Sequence, residues 1–243
     1  MPKQHTNQAA VAVTAFMLTF SAVIFAFTLS GCGPKPVNVT FRFENDTAGW
    51  QGYFADLPAQ YEEGIYELEF KHAPVPVAGK NDKGLMLKGH NRSDDLFMFI
   101  ARKFDRKDGL KPNTAYKVRL SFDLATNVPG GLIGIGGSPG ESVYVKAGLV
   151  NSDPEPVVAA DGYYRVQLDK GNQAGGGKGI VTLGHVAKSG SDADSYQYKS
   201  FEAEFEVTTN EKGEAWVVIG TDSGFEGLTQ VYYTNIKVVF SPK

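Results

Sequence analysis

Apolar and polar side chains alternate along most of the chain after residue 36. In the clearest segment, Tyr116, Val118 and Leu120 alternate with Lys117 and Arg119. A two-residue period is that of a β-strand with one buried face. This alternation, together with short apolar runs, predicts strands at 37–43, 50–54, 66–70, 85–87, 96–100, 116–124, 142–150, 163–169, 180–186, 199–208, 215–221 and 231–240.

The breaks between these segments indicate the fold class. The 28 glycines and 12 prolines lie mostly in the breaks, where turns need them. Short strands without intervening helices predict an all-β fold, an antiparallel β-sandwich of jelly-roll type. Residues 96–100 are apolar at every position, which predicts a strand covered on both faces. Pro74 and Pro76 predict a loop over 72–83.

The chain begins with a segment of different character. Residues 9–29 contain no charged side chain and follow a short polar head with Lys3. A basic head, an apolar core and a small-residue processing site are typical of a secretory signal. The alternative is a retained transmembrane anchor, because about 20 apolar residues can span a bilayer.

The sequence Leu29-Ser30-Gly31-Cys32 ends this segment and resembles the lipobox of bacterial lipoproteins. The resemblance implies cleavage before Cys32, lipid on its sulfur and acylation of the new N-terminus. The expected organisation is then a signal peptide at 1–31, a lipidated tether at 32–38 and a single β-sandwich domain at 39–243.

The composition limits the kinds of site and of binding partner that the protein can have. Cys32 is the only cysteine, so the remainder has no thiol nucleophile, disulfide or cysteine metal site. The formal net charge is −3, or −4 once Lys3 leaves with the signal. Mild acidity without a basic stripe argues against nucleic acid and against electrostatic docking on lipid. The expected partner is a lipid bilayer of the cell envelope, reached through acylated Cys32, and Gly33 favours the outer membrane in a bacterium with two membranes.

The strongest polar cluster, residues 90–95, directly precedes the apolar strand at 96–100. It supplies the candidates for catalysis, which are His90, Arg92, Asp94 and Asp95. Adjacent carboxylates point to opposite faces of an extended chain, so Asp94 and Asp95 cannot form an acid–base pair with each other. The alternative is a solvated turn whose side chains cap backbone groups. No histidine has a partner motif and no serine lies in a nucleophile elbow, which favours a non-catalytic protein.

The densest glycine cluster lies at residues 130–142. Loops that bind phosphate need a strand before them and a helix after them. Here residues 143–147 predict a strand, which argues against nucleotide binding. Tight turns with a β-bulge and a ligand loop of another kind both stay open.

Both ends of the predicted domain resemble jelly-roll carbohydrate-binding modules. Residues 44–50, which end in Trp50, resemble the first loop of those modules, and the final strand resembles their closing strand. The resemblance implies a structural calcium at Glu44, Asp46 and Asn235, although Thr234 replaces the expected aspartate. A chain of this length requires no cofactor to fold.

The leading hypothesis is an envelope-anchored lipoprotein with a non-catalytic domain that binds a carbohydrate. Aromatic side chains offer an apolar face to a sugar ring and a polar tip to its hydroxyls. One alternative is a jelly-roll glycoside hydrolase or polysaccharide lyase, and another is a structural lipoprotein that contacts an envelope protein through its glycine-rich loops. A binding module should show a sheet face with exposed aromatics, an enzyme a cleft of ionisable groups, and a scaffold an exposed apolar patch. The candidate ligand-binding residues are Trp50, Tyr53, Arg92, Asp94, Asp95, Tyr196 and Tyr198.

Overall fold

A computed structural model of the chain describes residues 35–62 and 64–243. The predicted signal peptide, Cys32 and the start of the tether lie outside these residues. The described strands are β1 (Val37–Phe41), β2 (Gln51–Ala55), β3 (Leu57–Pro58), β4 (Glu69–Pro74), β5 (Lys83–His90), β6 (Leu96–Phe104), β7 (Ala115–Thr126), β8 (Val143–Val150), β9 (Val157–Val158), β10 (Tyr163–Arg165), β11 (Ile180–His185), β12 (Gln197–Thr208), β13 (Ala215–Ser223) and β14 (Leu228–Pro242).

The strands form two large antiparallel sheets and one small sheet. The first sheet has the order β12-β7-β14-β5-β4, and β1 also pairs with β14. The second sheet has the order β11-β8-β13-β6-β2, and the small sheet has the order β3-β10-β9. This arrangement confirms the predicted all-β sandwich of jelly-roll type. Within the described ranges, no helix is long and apolar enough to cross a membrane.

The core lies between the two large sheets. On β7, Tyr116, Val118 and Leu120 are buried in this core, while Lys117 and Arg119 are exposed, as the alternation predicts. The same two-residue period on the facing strands closes the core from the other side.

The second sheet is apolar on its outer face as well, because residues 151–179 cover it. Ile100 of β6 points into the core, whereas Phe97 and Phe99 form a separate apolar cluster outside it. Val166 from the covering segment packs against that cluster. This arrangement confirms that 96–100 is covered on both faces.

Several predicted segments differ from the structure. The strand predicted at 66–70 lies instead at Glu69–Pro74, since Glu67 has a φ of 48° that interrupts an extended chain. The prediction that prolines forbid pairing after residue 71 was wrong, because β4 is an edge strand that tolerates Pro74. The strand predicted at 163–169 ends at Arg165, where the chain leaves the small sheet to cover the second sheet.

Candidate functional site

The first candidate site is a cleft beside the edge of the second sheet, which we call the tyrosine cleft. Its volume is about 250 Å³. Three tyrosines line it: Tyr53 on β2, Tyr61 in the loop after β3 and, from a distant part of the sequence, Tyr164 on β10. The lining is completed by Gly52, Phe54, Leu57, Leu68, Glu155 and Pro156.

Strand pairing positions the walls of this cleft. β2 is an edge strand that pairs with β6. The Tyr53 ring stacks on Phe99 with the ring centroids 5.2 Å apart. On the other wall, the pairing of β3 with β10 sets Leu57 opposite Tyr164. Both walls are therefore fixed by packing before any ligand binds.

The tyrosine cleft offers hydrogen-bonding groups beside its rings. Burial raises the pKa of Tyr53 to about 12, and the negative charges of Asp153 and Glu155 add to this shift. The phenol therefore keeps its proton at neutral pH and donates to Gln51. Glu155 is exposed, and Tyr61 is 40% exposed, so both side chains are available to a ligand.

The second candidate site adjoins the tyrosine cleft in sequence, because Asp56 directly precedes Leu57 of the cleft lining. We call it the charge cluster, and its members are Asp56, Asp95, Lys146, Lys170 and Asp222. Lys170 Nζ lies 2.9 Å from Asp56 Oδ2 and 2.9 Å from Asp222 Oδ2. The same atom lies 3.8 Å from Asp95 Oδ2. One ammonium thus contacts three carboxylates.

Lys146 fastens the cluster to the covering segment. Its side chain is fully buried and lies 2.9 Å from Asp222 Oδ2. It also donates to the carbonyl of Lys170 at 2.7 Å and to that of Gly175 at 2.8 Å. An ammonium has three donors, so Lys146 is fully satisfied. Burying this charge is tolerated because each of its protons has an acceptor.

The three charges around Lys170 set the ionisation of the cluster. Burial alone would lower the pKa of Lys170, but Asp222, Asp56 and Asp95 together outweigh burial and raise it. Burial also opposes ionisation of Asp222, yet the charge of Lys170 and a hydrogen bond from Asp95 lower its pKa. Burial, followed by the charge of Asp222, raises the pKa of Asp95 to about 8. Within this pair, a proton is therefore held more tightly by Asp95 than by Asp222.

A pocket of about 260 Å³ opens onto the cluster and includes Asp56, Asp95, Arg165, Lys170 and Asn172 in its lining. Oxygens of three cluster carboxylates also lie within 4.8 Å of one another, a spacing that suits a metal ion. The ammonium of Lys170 already contacts all three. Asp56 is further held by Arg165 at 2.7 Å, so it is not a free nucleophile.

The outer face of the first sheet carries a further group of aromatic side chains, outside the tyrosine cleft. Tyr198 and Tyr232 share one row across the sheet, and Tyr196 meets Tyr232 edge-on at 5.5 Å. Their hydroxyl groups are already engaged: Asp82 accepts from Tyr198 at 2.7 Å, and Gln230 bonds the other two. These rings pack over a small apolar cluster and leave less free surface than the tyrosine cleft.

Further along the same face runs a shallow groove of about 460 Å³. Four of its charged side chains form what we call the charge ladder. Lys117 pairs with Glu204 at 2.7 Å, and Arg119 pairs with Glu202 at 3.2 Å. The Arg119 and Glu202 side chains are 61% and 59% exposed. No aromatic side chain lines this groove.

The remaining predicted ligand-binding and catalytic residues are dispersed. Trp50 is 1% exposed and packs in the core, which corrects the prediction that its ring meets a ligand. Arg92 donates to the carbonyl of Ile65 and to His90 and stays outside the polar pocket. Asp94 is exposed with a φ of 68°. Of the 90–95 cluster, Asp95 is the residue that lines the pocket.

The residues of the implied calcium site do not fit a metal ion well. Lys83 Nζ donates to the carbonyl of Glu44 at 2.9 Å, and this positive charge opposes a cation there. Asp46 accepts from the backbone of Ala48 at 2.7 Å, and Asn235 donates to Asp123. The carbonyl of Glu44, one carboxylate oxygen of Asp46 and the amide nitrogen of Asn235 are thus engaged with protein partners.

The glycine-rich loop presents an apolar tip. Leu132, Ile133 and Ile135 are 44%, 99% and 72% exposed. The loop is held at its base by Glu141, which accepts from Gly131 N at 2.7 Å and from Ser138. This is the kind of exposed patch expected of a protein that contacts a partner.

Several functional residues were not found from the sequence. Lys146 and Asp222 are the only charged residues of β8 and β13 respectively, and both strands are almost entirely buried. A single charge in a strand that is buried on both faces requires a buried counter-charge, which is the signal that could have found them. Lys170 and Tyr61 lie in loops and had no such signal.

Comparisons with known proteins give only remote similarity. No family model matches the chain, and no curated protein matches its sequence. Among solved structures, it is similar to the enzymatically active domain of bacteriophage CBA120 tailspike protein 4, with 10% identity and a TM-score of 0.38, covering 83% of this chain and 20% of that chain. The chain thus spans about a fifth of that protein.

Two further structures match over most of their own length. The CBM22-1 xylan-binding domain from Paenibacillus barcinonensis Xyn10C has 10% identity and a TM-score of 0.37, covering 83% of this chain and 92% of that chain. An apo cyclase from Fischerella sp. has 14% identity and a TM-score of 0.37, covering 85% of this chain and 98% of that chain. At such low identity and TM-score, these similarities carry no functional conclusion.

Proposed function

We propose that this protein is an envelope-anchored lipoprotein whose β-sandwich binds a carbohydrate in the tyrosine cleft without cleaving it. The observation that supports this proposal is the convergence of Tyr53, Tyr61 and Tyr164 on one cleft. Sugar rings present apolar faces and polar edges, and tyrosine complements both. A volume of about 250 Å³ is close to the lower end of the roughly 300–1,000 Å³ of small-molecule sites, so we expect a short saccharide.

The absence of catalysis in this proposal is supported by the ion pairs. Acid–base cleavage of a glycoside needs two carboxyl groups that can reach the substrate. Asp56 is held by Arg165 and Lys170, and Asp222 is fully buried between two lysines.

A glycan array tests the binding proposal directly. Tyr61→Ala should weaken binding by about tenfold or more, which corresponds to the loss of one aromatic contact. Tyr61→Phe should retain most of the binding because it keeps the ring. Tyr198→Phe is the matched control on the opposite sheet and should change nothing. A loss with Tyr198→Phe but not with Tyr61→Ala would contradict the proposed site, and turnover of a bound glycan would contradict the proposed class.

The lipid anchor is supported by the resemblance of Leu29-Ser30-Gly31-Cys32 to a lipobox. Growth of the producing bacterium with an alkyne-bearing palmitate should label the wild-type protein, and Cys32→Ala should abolish the label. Labelling that survives Cys32→Ala would contradict lipidation at this residue.

A second candidate function, binding of another envelope protein, is favoured by the exposed tip at Leu132, Ile133 and Ile135. A photo-crosslinking amino acid at position 133 should then yield one discrete adduct in cells. The same amino acid at Val158, which is 58% exposed, is the control. Equal yields at both positions would contradict a specific partner at the tip.

A further inference from the structure

The tyrosine cleft and the charge cluster share their backbone. Leu57 and Tyr164 face each other across the β3–β10 pair and line the cleft. The next residues along the chain, Asp56 and Arg165, form an ion pair at 2.7 Å. Asp56 N also donates to the carbonyl of Tyr164 at 2.8 Å. One wall of the cleft is therefore fastened directly to the cluster.

Residues 165–179, which we call the strap, are fastened to the same cluster. Lys170 lies in the strap and contacts three carboxylates from the rest of the sandwich. Lys146 on β8 reaches up from the sheet to two strap carbonyls. Gln173 Nε2 adds a bond to the carbonyl of Asp94 at 3.2 Å. The strap thus depends on charges that are largely buried.

The positive and negative charges around Asp95 balance when the carboxyl group of Asp95 itself is neutral. Every element packed against Asp95 contributes: β8, β10, β13, the β2–β3 junction and the strap. If Asp95 carries a proton, four positive groups face four negative groups. If Asp95 is ionised, the region carries a net charge of about −1, and burial makes that charge costly. The positive groups are Lys146, Arg165, Lys170 and Lys178, and the negative groups are Asp56, Asp161, Asp169 and Asp222.

The hydrogen bonds give the same answer independently of the charges. Asp95 Oδ1 and Asp222 Oδ1 are buried, and neither accepts a hydrogen bond from a donor among the described residues. Two ionised carboxylates side by side have no proton to share. A proton on Asp95 allows it to donate to Asp222, which removes the unmet acceptor.

We propose that the proton on Asp95 controls the tyrosine cleft, because it keeps the charge cluster neutral and so holds the strap and the β3–β10 wall in place. Loss of the proton repels Asp95 from Asp222 and Asp56 and loosens that wall. This inference rests on the proposed function in so far as the cleft is the binding site.

The direction of the pH dependence follows from the raised pKa of Asp95, which is about 8 against an ordinary value of 3.8. The folded chain holds this proton more tightly than the unfolded chain. The stabilisation is therefore complete below the unfolded pKa and is lost as the pH rises through about 8. The cleft should be ordered in neutral or acidic surroundings and loosened in alkaline ones.

Hydrogen exchange of the full chain tests the proposal without any ligand. After correction for intrinsic rates, amides of 163–179 should exchange faster at about pH 9.5 than at about pH 6, by up to about tenfold for each pH unit crossed below the raised pKa. Asp95→Asn keeps a donor without a charge and should remain protected at both pH values. Asp94→Asn, an exposed neighbour, should behave as the wild type. Equal protection of the wild type at both pH values, or an unchanged pH response in Asp95→Asn, would overturn the proposal.

Glycan affinity separates this proposal from the proposed function. If a glycan found on the array binds the wild type more weakly at about pH 9.5 than at about pH 6, and Asp95→Asn removes the difference, the cluster controls the cleft. Binding with the same affinity at both pH values would overturn the coupling but leave the binding function intact. A pH-dependent strap in a protein that binds no glycan would overturn the function but leave the cluster intact.

Discussion

Two of the sets of ion pairs among the described residues are alike in distance and differ in burial. In the charge cluster, Lys146 and Asp222 lie 2.9 Å apart with both side chains 0% exposed. In the charge ladder, Arg119 and Glu202 lie 3.2 Å apart with side chains 61% and 59% exposed. Water and salt screen the ladder, whereas the cluster has only its own partners. The comparison teaches that burial, rather than distance, decides which pairs the fold depends on.

The largest loss of stability should come from removal of Lys170, which belongs to the buried set. Lys170→Met leaves Asp56 and Asp222 buried with a lost counter-charge, and breaking such a pair typically costs about 3–5 kcal/mol. Denaturant titration of the full chain measures the free energy of unfolding. Lys117→Met in the ladder is the matched control and should leave the midpoint unchanged. Equal effects of the two variants would contradict the contrast.

Removing Lys146 should have a smaller effect of a different kind. Lys146→Met leaves Asp222 paired with Lys170 but leaves the carbonyls of Lys170 and Gly175 without this donor. Unmet buried acceptors cost about 1–3 kcal/mol each, so two of them would cost about 2–6 kcal/mol. We expect a value at the lower end, about 2–3 kcal/mol, because Gly175 is exposed and water can reach its carbonyl, and the same titration measures it. A cost above that of Lys170→Met would mean that the strap carbonyls matter more than the carboxylates.

The ladder should respond to neither mutation nor salt in a measurable way. Glu202→Gln combined with Glu204→Gln removes the negative side of the ladder, and the melting temperature should stay within the scatter of replicate measurements, because exposed pairs contribute little. About 1 M NaCl should leave the defect of Lys170→Met in place, since buried charges are screened much less. A clear loss of stability in the double variant would contradict this view of the exposed face.

The smallest expected effect concerns calcium. Binding by Glu44, Asp46 and Asn235 stays a prediction, and a bound ion would stabilise the native state by mass action. The positive charge of Lys83 on the carbonyl of Glu44 leads us to expect no change in melting temperature on addition of a chelator. A fall of several degrees that calcium restores would establish a structural ion.

The sequence predicted the fold well because strand periodicity is a local signal. The alternation on β7 and the apolar run of β6 identified strands that the structure contains. Sequence reasoning also placed Tyr53 and Asp95 among the candidate ligand-binding residues, and each of them lines a pocket. Trp50 failed as a candidate because a large aromatic ring near a turn can belong to the core as easily as to a site.

A single sequence could not predict which residues come together in each site. Tyr53, Tyr61 and Tyr164 meet because β3 pairs with β10, a contact across about a hundred residues that no local pattern encodes. The charge cluster likewise joins side chains from β8, β13 and three connecting segments. Lys146 and Asp222 were visible as isolated charges, but the identity of their partners depends on the tertiary fold.

The covering segment has a consequence for how this surface can be engineered. Residues 151–179 leave the sheet at the end of β8 and return at the start of β11, and these two strands are direct neighbours. The cleft wall with Tyr164 and Lys170 therefore forms one excursion from a single hairpin. A short turn could replace it without changing the order of the strands, but Phe97 and Phe99 would then face water as an exposed apolar patch. Replacement of residues 151–179 thus also requires polar substitutions on the sheet face beneath them, so the covering segment and that face have to be redesigned together.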